Sequence, residues 1–412
     1  MNKSYYSIFG TAVAIALMVS LVYAAVKQFD IAYTDELYWI QSGEWSFQRF
    51  FVDHDFSSDT WKVEYETLYR TFGPYTPNVG KFFIGGFLHV NRIPPSSKMC
   101  YWDSNAIAIE CLGERLKLSR TLSHILAGLT VALLFVITMT LLPMPWNWIS
   151  AVLSCLVLTS HQAMRSAGRY VMLDIYVLFF SLLALSILFY KLRFGYRSLT
   201  STIFWGSLAG ISAGMAVASK LNGALVVMSI MMISLVDYWI KQDKYALFFV
   251  GIVIFWSPLV FLIVNPQLWS DPLGGSMLMV AHRDVIIDAV SAAGGTIIST
   301  IPEGLLWFYT RIFSEAFNVT RLSDRPIYQV DTILMLLCVG GVIVMVKKLN
   351  NTWPLVMHGA VITISTIVWI PTPELRYYLP VVPVVSFAIG MMGTAVLEKI
   401  VSLFLFLKSG QK

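Results

Sequence analysis

Charged residues are scarce in this sequence. They make up 13% of its 412 residues, against roughly 25% in ordinary globular domains. Hydrophobic residues make up 57%, which is more apolar surface than a water-soluble fold of this size can hide. The composition therefore excludes an ordinary soluble enzyme and predicts a protein embedded in a membrane.

Other absences exclude further classes. The net charge of +5 is scattered along the chain, so no basic nucleic-acid-binding surface is predicted. Internal repeats, low-complexity tracts and a segment able to fold as a separate soluble domain are all missing. The four cysteines fit no zinc-binding spacing. Cys100 and Cys111 could form a disulfide if their segment lies outside the cell, and would stay reduced inside it.

Long apolar segments recur along the whole chain, each of about the twenty residues needed to cross a bilayer. Backbone groups in lipid must find their hydrogen bonds within the chain, so these segments should be helices. We predict an all-α polytopic membrane protein, one bundle over residues 1–412 with about eleven or twelve transmembrane helices. The predicted spans are 5–26, 79–92, 119–142, 146–162, 172–190, 202–219, 222–240, 245–264, 328–346, 353–371 and 377–404.

Two long polar loops, 27–78 and 265–327, interrupt the spans. Basic residues follow four of the spans, and the positive-inside rule assigns that side to the cytoplasm and both loops to the outside. Residues 37–51 of the first loop are rich in aromatic residues and predict an interfacial helix with its apolar side toward lipid. The basic residues are Lys191, Arg193, Arg197, Lys241, Lys244, Lys347, Lys348, Lys408 and Lys412.

One region does not fit this count of crossings. An even number of crossings must separate the first outer loop from residues 165–174, but three spans are predicted there. Either residues 105–118 enter the membrane as well, or one of the three predicted spans is re-entrant.

A second group of charged residues falls on the predicted outer face, near the ends of spans. Basic residues are disfavoured there, and charges kept at such a cost usually bind something. Convergent Lys and Arg side chains suit an anionic group, most simply a phosphate. For any single residue, the alternative is an anchor whose charge lies at the lipid headgroups. The group comprises Asp35, Glu36, Lys81, Arg165, Arg169, Asp174, Lys220, Arg283 and Arg376.

Four short motifs in this group resemble those of the GT-C membrane glycosyltransferases. The similarity is to the branch that contains the protein O-mannosyltransferases and the lipid A aminoarabinose transferases, glycosyltransferase families 39 and 83. It runs through the whole chain in order, from an acidic first loop to an Arg-Tyr pair before the last span. The motifs are Tyr33–Tyr38, Gly73–Lys81, Gly168–Asp174 and Leu375–Pro380.

The resemblance implies a GT-C-like bundle that transfers a sugar from a polyprenyl-phosphate carrier to an acceptor outside the cytoplasm. It implies that Asp35 is catalytic, with Glu36 beside it, and that Asp174 is a second acidic site residue. Lys81 and Arg376 are the implied contacts of the carrier phosphate. We predict that Arg169, Lys220 and Tyr377 belong to the same phosphate-binding set.

The sequence departs from the family pattern at three points. The family's His-Pro-Pro before Gly-Lys is here Thr76-Pro77-Asn78. The soluble domains that some members carry have no counterpart, which leaves a lipid, a glycan or a protein as the acceptor. The Trp-Trp-Asp motif of oligosaccharyltransferases is absent.

The chemistry expected is one displacement at the anomeric carbon. Lys81 and Arg376 would stabilise the leaving phosphate electrostatically, and Asp35 would take the proton of the acceptor hydroxyl. A single displacement inverts the anomeric configuration, whereas a retaining enzyme needs a second carboxylate as nucleophile. The competing interpretation is a transporter or flippase of the same carrier.

Several further expectations are weaker. The loop residues Asp53, His54 and Asp55, with Asp59, offer oxygen ligands for a divalent cation such as Mg²⁺ or Mn²⁺. Their spacing fits no defined motif, so the preferred interpretation is a solvated acidic loop, and no cofactor is predicted with certainty. His282 and Arg283 of the second loop are candidate substrate contacts. The expected location is the inner membrane of a bacterium, with the site facing the periplasm.

Overall fold

The computed structural model describes most of the chain as helix. The residues that it describes are 3–25, 34–57, 59–64, 75–95, 100, 111–143, 147–196, 198–292, 294–316 and 328–409. No β-strand occurs in these ranges.

Fifteen α-helices are numbered here in chain order, with the shorter 3₁₀ and π turns left unnumbered. They are α1 (Lys3–Ala25), α2 (Thr34–Phe47), α3 (Val79–Val90), α4 (Glu114–Leu141), α5 (Asn147–Ser160), α6 (Gln162–Arg169), α7 (Leu173–Phe194), α8 (Leu199–Val217), α9 (Ala224–Lys241), α10 (Lys244–Ile263), α11 (Pro272–Ala292), α12 (Ile301–Tyr309), α13 (Tyr328–Lys347), α14 (Leu349–Trp369) and α15 (Val382–Ser409).

Each of the eleven predicted spans overlaps one of these helices. Within the described ranges, seven helices are both long and apolar enough to cross a membrane, namely α1, α4, α7, α9, α10, α14 and α15, while α3, α5 and part of α13 are shorter apolar helices. The prediction of an all-α polytopic membrane protein is confirmed.

The bundle is built around α4, α7 and α15, the most buried of the seven long helices. Helix α4 packs against α1, α5 and α7, α7 packs against α8, and α15 packs against α5 and α13. The ends of α7 suit its backbone dipole, because Asp174 lies in the first turn and Lys191 and Arg193 lie in the last. It ends at Gly195, whose φ of +78° favours glycine.

Helix α3 bears on the count of crossings. Its 12 residues extend only about 18 Å, against a hydrocarbon core of about 30 Å, and it packs along α2 of the same loop. This length and packing favour the alternative in which the predicted span at 79–92 is re-entrant. Helix α5, with 14 residues, is also short, but it lies inside the bundle against α4 and α15. Counting only α4 and α5 gives the even number required. Residues 101–110, part of the other explanation, lie outside the described ranges.

Helix α2 confirms a helix in the first loop. Leu37, Ile40 and Ser46 are fully buried, so this helix is enclosed by protein. The exposed apolar residue of the predicted interfacial segment lies after α2, at Phe51 (48% exposed). Close packing against α3 encloses α2, since a Cβ on Gly85 would lie 2.2 Å from the carbonyl oxygen of Gly43. Glycine at position 85 is what lets these two backbones touch.

A disulfide joins Cys100 to Cys111, 11 residues apart, which is one of the two states that the sequence left open. The side-chain amide of Gln41 on α2 accepts a hydrogen bond from the Cys100 N–H (2.8 Å) and donates one to the Cys100 carbonyl (3.1 Å). Arg115 on α4 adds a salt bridge to Glu44 at 2.7 Å. The disulfide segment thus fastens α2 to the start of α4.

The second long loop contains more regular structure than its polar sequence predicted. Helix α11 occupies most of its first half, and α12 follows with a capping box between Thr300 and Glu303. Residues 317–327 of this loop lie outside the described ranges.

Candidate active site

The start of α2 meets the segment before α15 in an ion pair. Asp35 lies in the first turn of α2, and its Oδ2 contacts Nη1 of Arg376, 341 residues later. Nη2 of the same guanidinium lies 2.6 Å from Oε2 of Glu374. Asp35 and Arg376 are 20% and 25% exposed, so this pair lies at the surface of the bundle, where a ligand can reach it.

A second ion pair lies next to the first. Nζ of Lys220, in the turn between α8 and α9, is 2.8 Å from Oδ1 of Asp174 at the start of α7. Both Lys220 and Arg376 lie against the ring of Tyr377, at 4.5 and 5.4 Å from its centroid. Asp35, Asp174, Lys220, Arg376 and Tyr377 therefore lie together, and all five were predicted site residues. We call these five residues, together with Glu374, the mouth cluster.

The mouth cluster also contains Glu374. Burial raises the pKa of Glu374, and the Asp174 carboxylate adds to this, while Lys220 and Arg311 oppose it. Burial by itself would lower the pKa of Lys220, but the nearby Asp174 carboxylate, with Tyr377 and Glu374, outweighs burial and raises it. With Glu374 included, three carboxylates face two cations, so the cluster carries a formal net charge of −1 when all five groups are ionised.

Glu36 follows Asp35 directly in α2 and is fully buried. Both of its oxygens accept hydrogen bonds from Arg120 on α4, at 2.9 and 2.7 Å, and Oε1 also accepts from the Val171 N–H at 2.9 Å. Its contacts hold α2 against α4 and against the segment before α7. The predicted catalytic role of Glu36 stays a prediction.

Lys81 lies at the start of α3 and is also fully buried. Its ammonium donates to the Thr76 carbonyl at 3.0 Å and lies 3.4 Å from Oδ1 of Asn78. It is 6.0 Å from the ring centroid of Trp39, which is one helical turn beyond Asp35 on α2. Lys81 therefore lies beside α2, and its contacts include Thr76, Asn78 and Trp39.

The two arginines of α6 lie apart from Asp174. Arg165 donates to Gln162 at 2.8 Å, and no ion pair of Arg169 occurs among the described residues. Asp174, five residues after Arg169 in the sequence, pairs with Lys220. Helix α6 begins at His161, whose Nδ1 accepts from the Ala163 N–H.

Of the second-loop candidates, His282 stacks on Tyr75 with 4.6 Å between ring centroids. The side chain of Arg283 lies outside the described residues. The stacking brings α11 against the segment that precedes α3, on the side of the loop motif that contains Lys81.

The acidic loop after α2 is held by its own contacts. Arg49 lies 3.5 Å from Asp53 and 3.9 Å from Asp55, and Thr60 donates to Asp55 at 2.7 Å. Hydrogen bonds from Thr60 and from the following backbone lower the pKa of Asp55. No group of three or more His, Cys, Asp or Glu side chains in the described parts of the chain is arranged to hold a metal ion, and His54 of the predicted set joins no such group.

Three residues of the site region were missed by the sequence interpretation. Glu374 satisfies the same criterion as Asp35, a charge at the outer end of a span, and could have been found by it. Arg120 lies within the predicted span 119–142 and gave no signal of its own. Arg311 donates from Nε to the Pro373 carbonyl at 2.5 Å and so supports the segment that carries Glu374.

Comparison with known proteins gives one family match. The dolichyl-phosphate-mannose-protein mannosyltransferase family matches residues 64–269, half of the chain. No sequence among the curated proteins matches the chain.

Solved structures give further similarities. The oligosaccharyltransferase of Archaeoglobus fulgidus, solved with Zn and sulfate, has a TM-score of 0.59 at 11% identity, over 94% of this chain and 49% of that one. ArnT from Cupriavidus metallidurans in the apo state has a TM-score of 0.55 at 13% identity, over 95% of this chain and 60% of that one. ArnT bound to undecaprenyl phosphate has a TM-score of 0.52 at 12% identity, with the same coverage. At such identities the likeness shows a shared fold alone, and this chain spans only about half to three fifths of the length of these proteins.

Proposed function

The chain belongs to the dolichyl-phosphate-mannose-protein mannosyltransferase family, and on that premise we propose that it is an inverting glycosyltransferase. It moves a sugar from a polyprenyl-phosphate carrier to an acceptor on the extracytoplasmic side of the membrane. The observation that carries this proposal is the mouth cluster, in which a carboxylate and two cations from distant parts of the chain meet at one end of the helical bundle.

The cluster contains the groups that a single displacement needs. The acceptor oxygen forms a new bond to the anomeric carbon while the bond from that carbon to the phosphate oxygen breaks. Asp35 takes the proton from the acceptor hydroxyl. The electron pair of the broken bond stays on the phosphate, where Arg376 and Lys220 stabilise the growing charge without a general acid. Attack from the face opposite the phosphate inverts the anomeric carbon.

The identities of the substrates are narrower proposals. The sugar is a hexose or a pentose, and the acceptor is a lipid, a glycan or a protein. Undecaprenyl phosphate is the carrier to test first, because a structure with the same fold was solved with it bound. We place the protein in a bacterial inner membrane, with the mouth cluster facing the periplasm.

The test is product formation by the purified protein in detergent micelles. Radiolabelled undecaprenyl-phosphate sugars are supplied with a mixture of candidate acceptors, and labelled product is separated from labelled lipid. Micelles have no two sides, so a flippase of the carrier forms no product there, whereas a transferase does. Repeating the assay with EDTA tests whether a divalent cation is needed. Movement of the intact labelled lipid across sealed vesicles, with no labelled product in micelles, would contradict the proposal.

A further inference from the structure

Arg376 holds two carboxylates at once. Nη1 contacts Asp35 and Nη2 contacts Glu374, so both terminal nitrogens of the guanidinium are engaged. Its Nε is buried and has no hydrogen-bond partner among the described residues. A phosphate that binds the paired N–H groups of Arg376 must therefore displace a carboxylate that already accepts from them.

The ion pair has a consequence for the proposed base. A carboxylate that accepts from a guanidinium has its charge neutralised and a lone pair occupied, and both effects weaken it as a base. Asp35 is therefore poorly suited to take a proton while it remains paired with Arg376.

The charges of the mouth cluster indicate which carboxylate separates from its cation when a phosphate binds. The mouth cluster already has one more carboxylate than it has cations, so a phosphate that enters adds to an excess of negative charge. Asp174 is 5% exposed and holds Lys220. Glu374 is 42% exposed, but it precedes Arg376 by only two residues, so the chain itself keeps it beside the guanidinium. Asp35 comes from a different helix and is partly exposed. It is the partner that can separate from Arg376 with a change of side-chain rotamer.

We propose that Arg376 is exchanged between Asp35 and the phosphate of the donor lipid, so that binding of the donor frees the base. Glu374 keeps the guanidinium in place during the exchange and acts as a positioning residue. The order of events is then fixed, because the donor must bind before Asp35 can take a proton from an acceptor. This inference rests on the proposed function and adds to it a coupling between donor binding and base activation.

The experiment is carbodiimide labelling of the full-length protein in detergent, with and without undecaprenyl phosphate, read out residue by residue by mass spectrometry. Carbodiimides modify protonated carboxyl groups, and loss of an opposite charge raises the protonated fraction of a carboxyl by about tenfold. Labelling of Asp35 should rise by about that factor when the lipid is added. Labelling of Glu36 should not change, because its pair with Arg120 is buried.

Two variants make the result specific to Arg376. In Arg376→Gln, labelling of Asp35 should already be high without lipid, and the lipid should add little. Arg376→Lys keeps the charge but cannot hold two carboxylates in a fork, so it should give an intermediate value even if Arg376→Gln folds poorly.

The outcomes separate this inference from the proposed function. Binding of undecaprenyl phosphate that leaves labelling of Asp35 unchanged, or lowers it, overturns the exchange even when the same preparation transfers sugar. Increased labelling without any sugar transfer supports the exchange and counts against the transferase. Failure to bind undecaprenyl phosphate at all overturns both.

Discussion

The pair between Glu36 and Arg120 allows a direct separation of structural from chemical roles. Glu36→Gln removes the negative charge that balances Arg120, and both side chains are less than 5% exposed. Breaking a buried ion pair on one side costs about 3–5 kcal/mol. Glutamine keeps the Oε1 oxygen, which accepts from both the Val171 N–H and Nε of Arg120, so it retains two of the three hydrogen bonds. We therefore expect a loss at the lower end of this range, about 3 kcal/mol.

Thermal unfolding in detergent, followed by tryptophan fluorescence, measures this loss. The midpoint should fall by about 5 °C in Glu36→Gln. The double variant Glu36→Gln with Arg120→Gln should recover much of it, because no buried charge is left without a partner. Glu398→Gln is the matched control, since its pair with Lys348 is exposed, spans 3.7 Å and should contribute about 0–1 kcal/mol. A Glu36→Gln protein that unfolds like the wild type but transfers no sugar would refute the structural interpretation and make Glu36 a catalytic residue.

Three further predictions concern the supports of the site. Burial lowers the pKa of His161 to about 4, below its unfolded value near 6.5. Its contribution to stability is therefore complete above pH 6.5 and is lost as the pH falls toward 4. Denaturant unfolding at a series of pH values should show a fall of up to about 3 kcal/mol in the free energy of unfolding, and His161→Gln should remove this pH dependence. Replacing Cys100 and Cys111 by serine should cost about 3 kcal/mol, and a reductant should lower the midpoint of the wild type but leave that of the variant unchanged. Gly85→Ala should cost about 1–3 kcal/mol in thermal unfolding because its Cβ meets the backbone of α2. The control Gly251→Ala, with open space around it, should cost less than Gly85→Ala. Equal midpoints for the two alanine variants would contradict the close-packing argument.

The positions of the helices could be predicted because a span is a local property. The backbone of each long apolar segment makes its hydrogen bonds within the segment when it lies in lipid. The predicted span 172–190 accordingly overlaps α7 (Leu173–Phe194), and 119–142 overlaps α4 (Glu114–Leu141). Prediction from this local property is weaker for α3. Its apolar sequence meets α2 rather than lipid, and composition alone does not distinguish an apolar neighbour from an acyl chain.

The membership of the site could be predicted better than its pairings. Outer-face charge and the family motifs selected Asp35, Asp174, Lys220, Arg376 and Tyr377, and the structure brings all five together. Which cation meets which carboxylate depends on how the helices pack. That is why Asp174 pairs with Lys220 and not with Arg169, which is only five residues away in the sequence, and why Arg120 was not recognised as the partner of Glu36.

The most direct test of the account compares Asp35→Asn with the wild type for sugar transfer and for binding of undecaprenyl phosphate on the same preparations. Asparagine keeps the shape of the side chain but cannot take the proton of the acceptor. Asp53→Asn, in the loop held by Arg49, is the control for removing an exposed carboxylate from the same region. The account predicts that Asp35→Asn binds the lipid at least as well as the wild type and transfers sugar at least about 100-fold more slowly, while Asp53→Asn does both normally. Transfer by Asp35→Asn at the wild-type rate would contradict it.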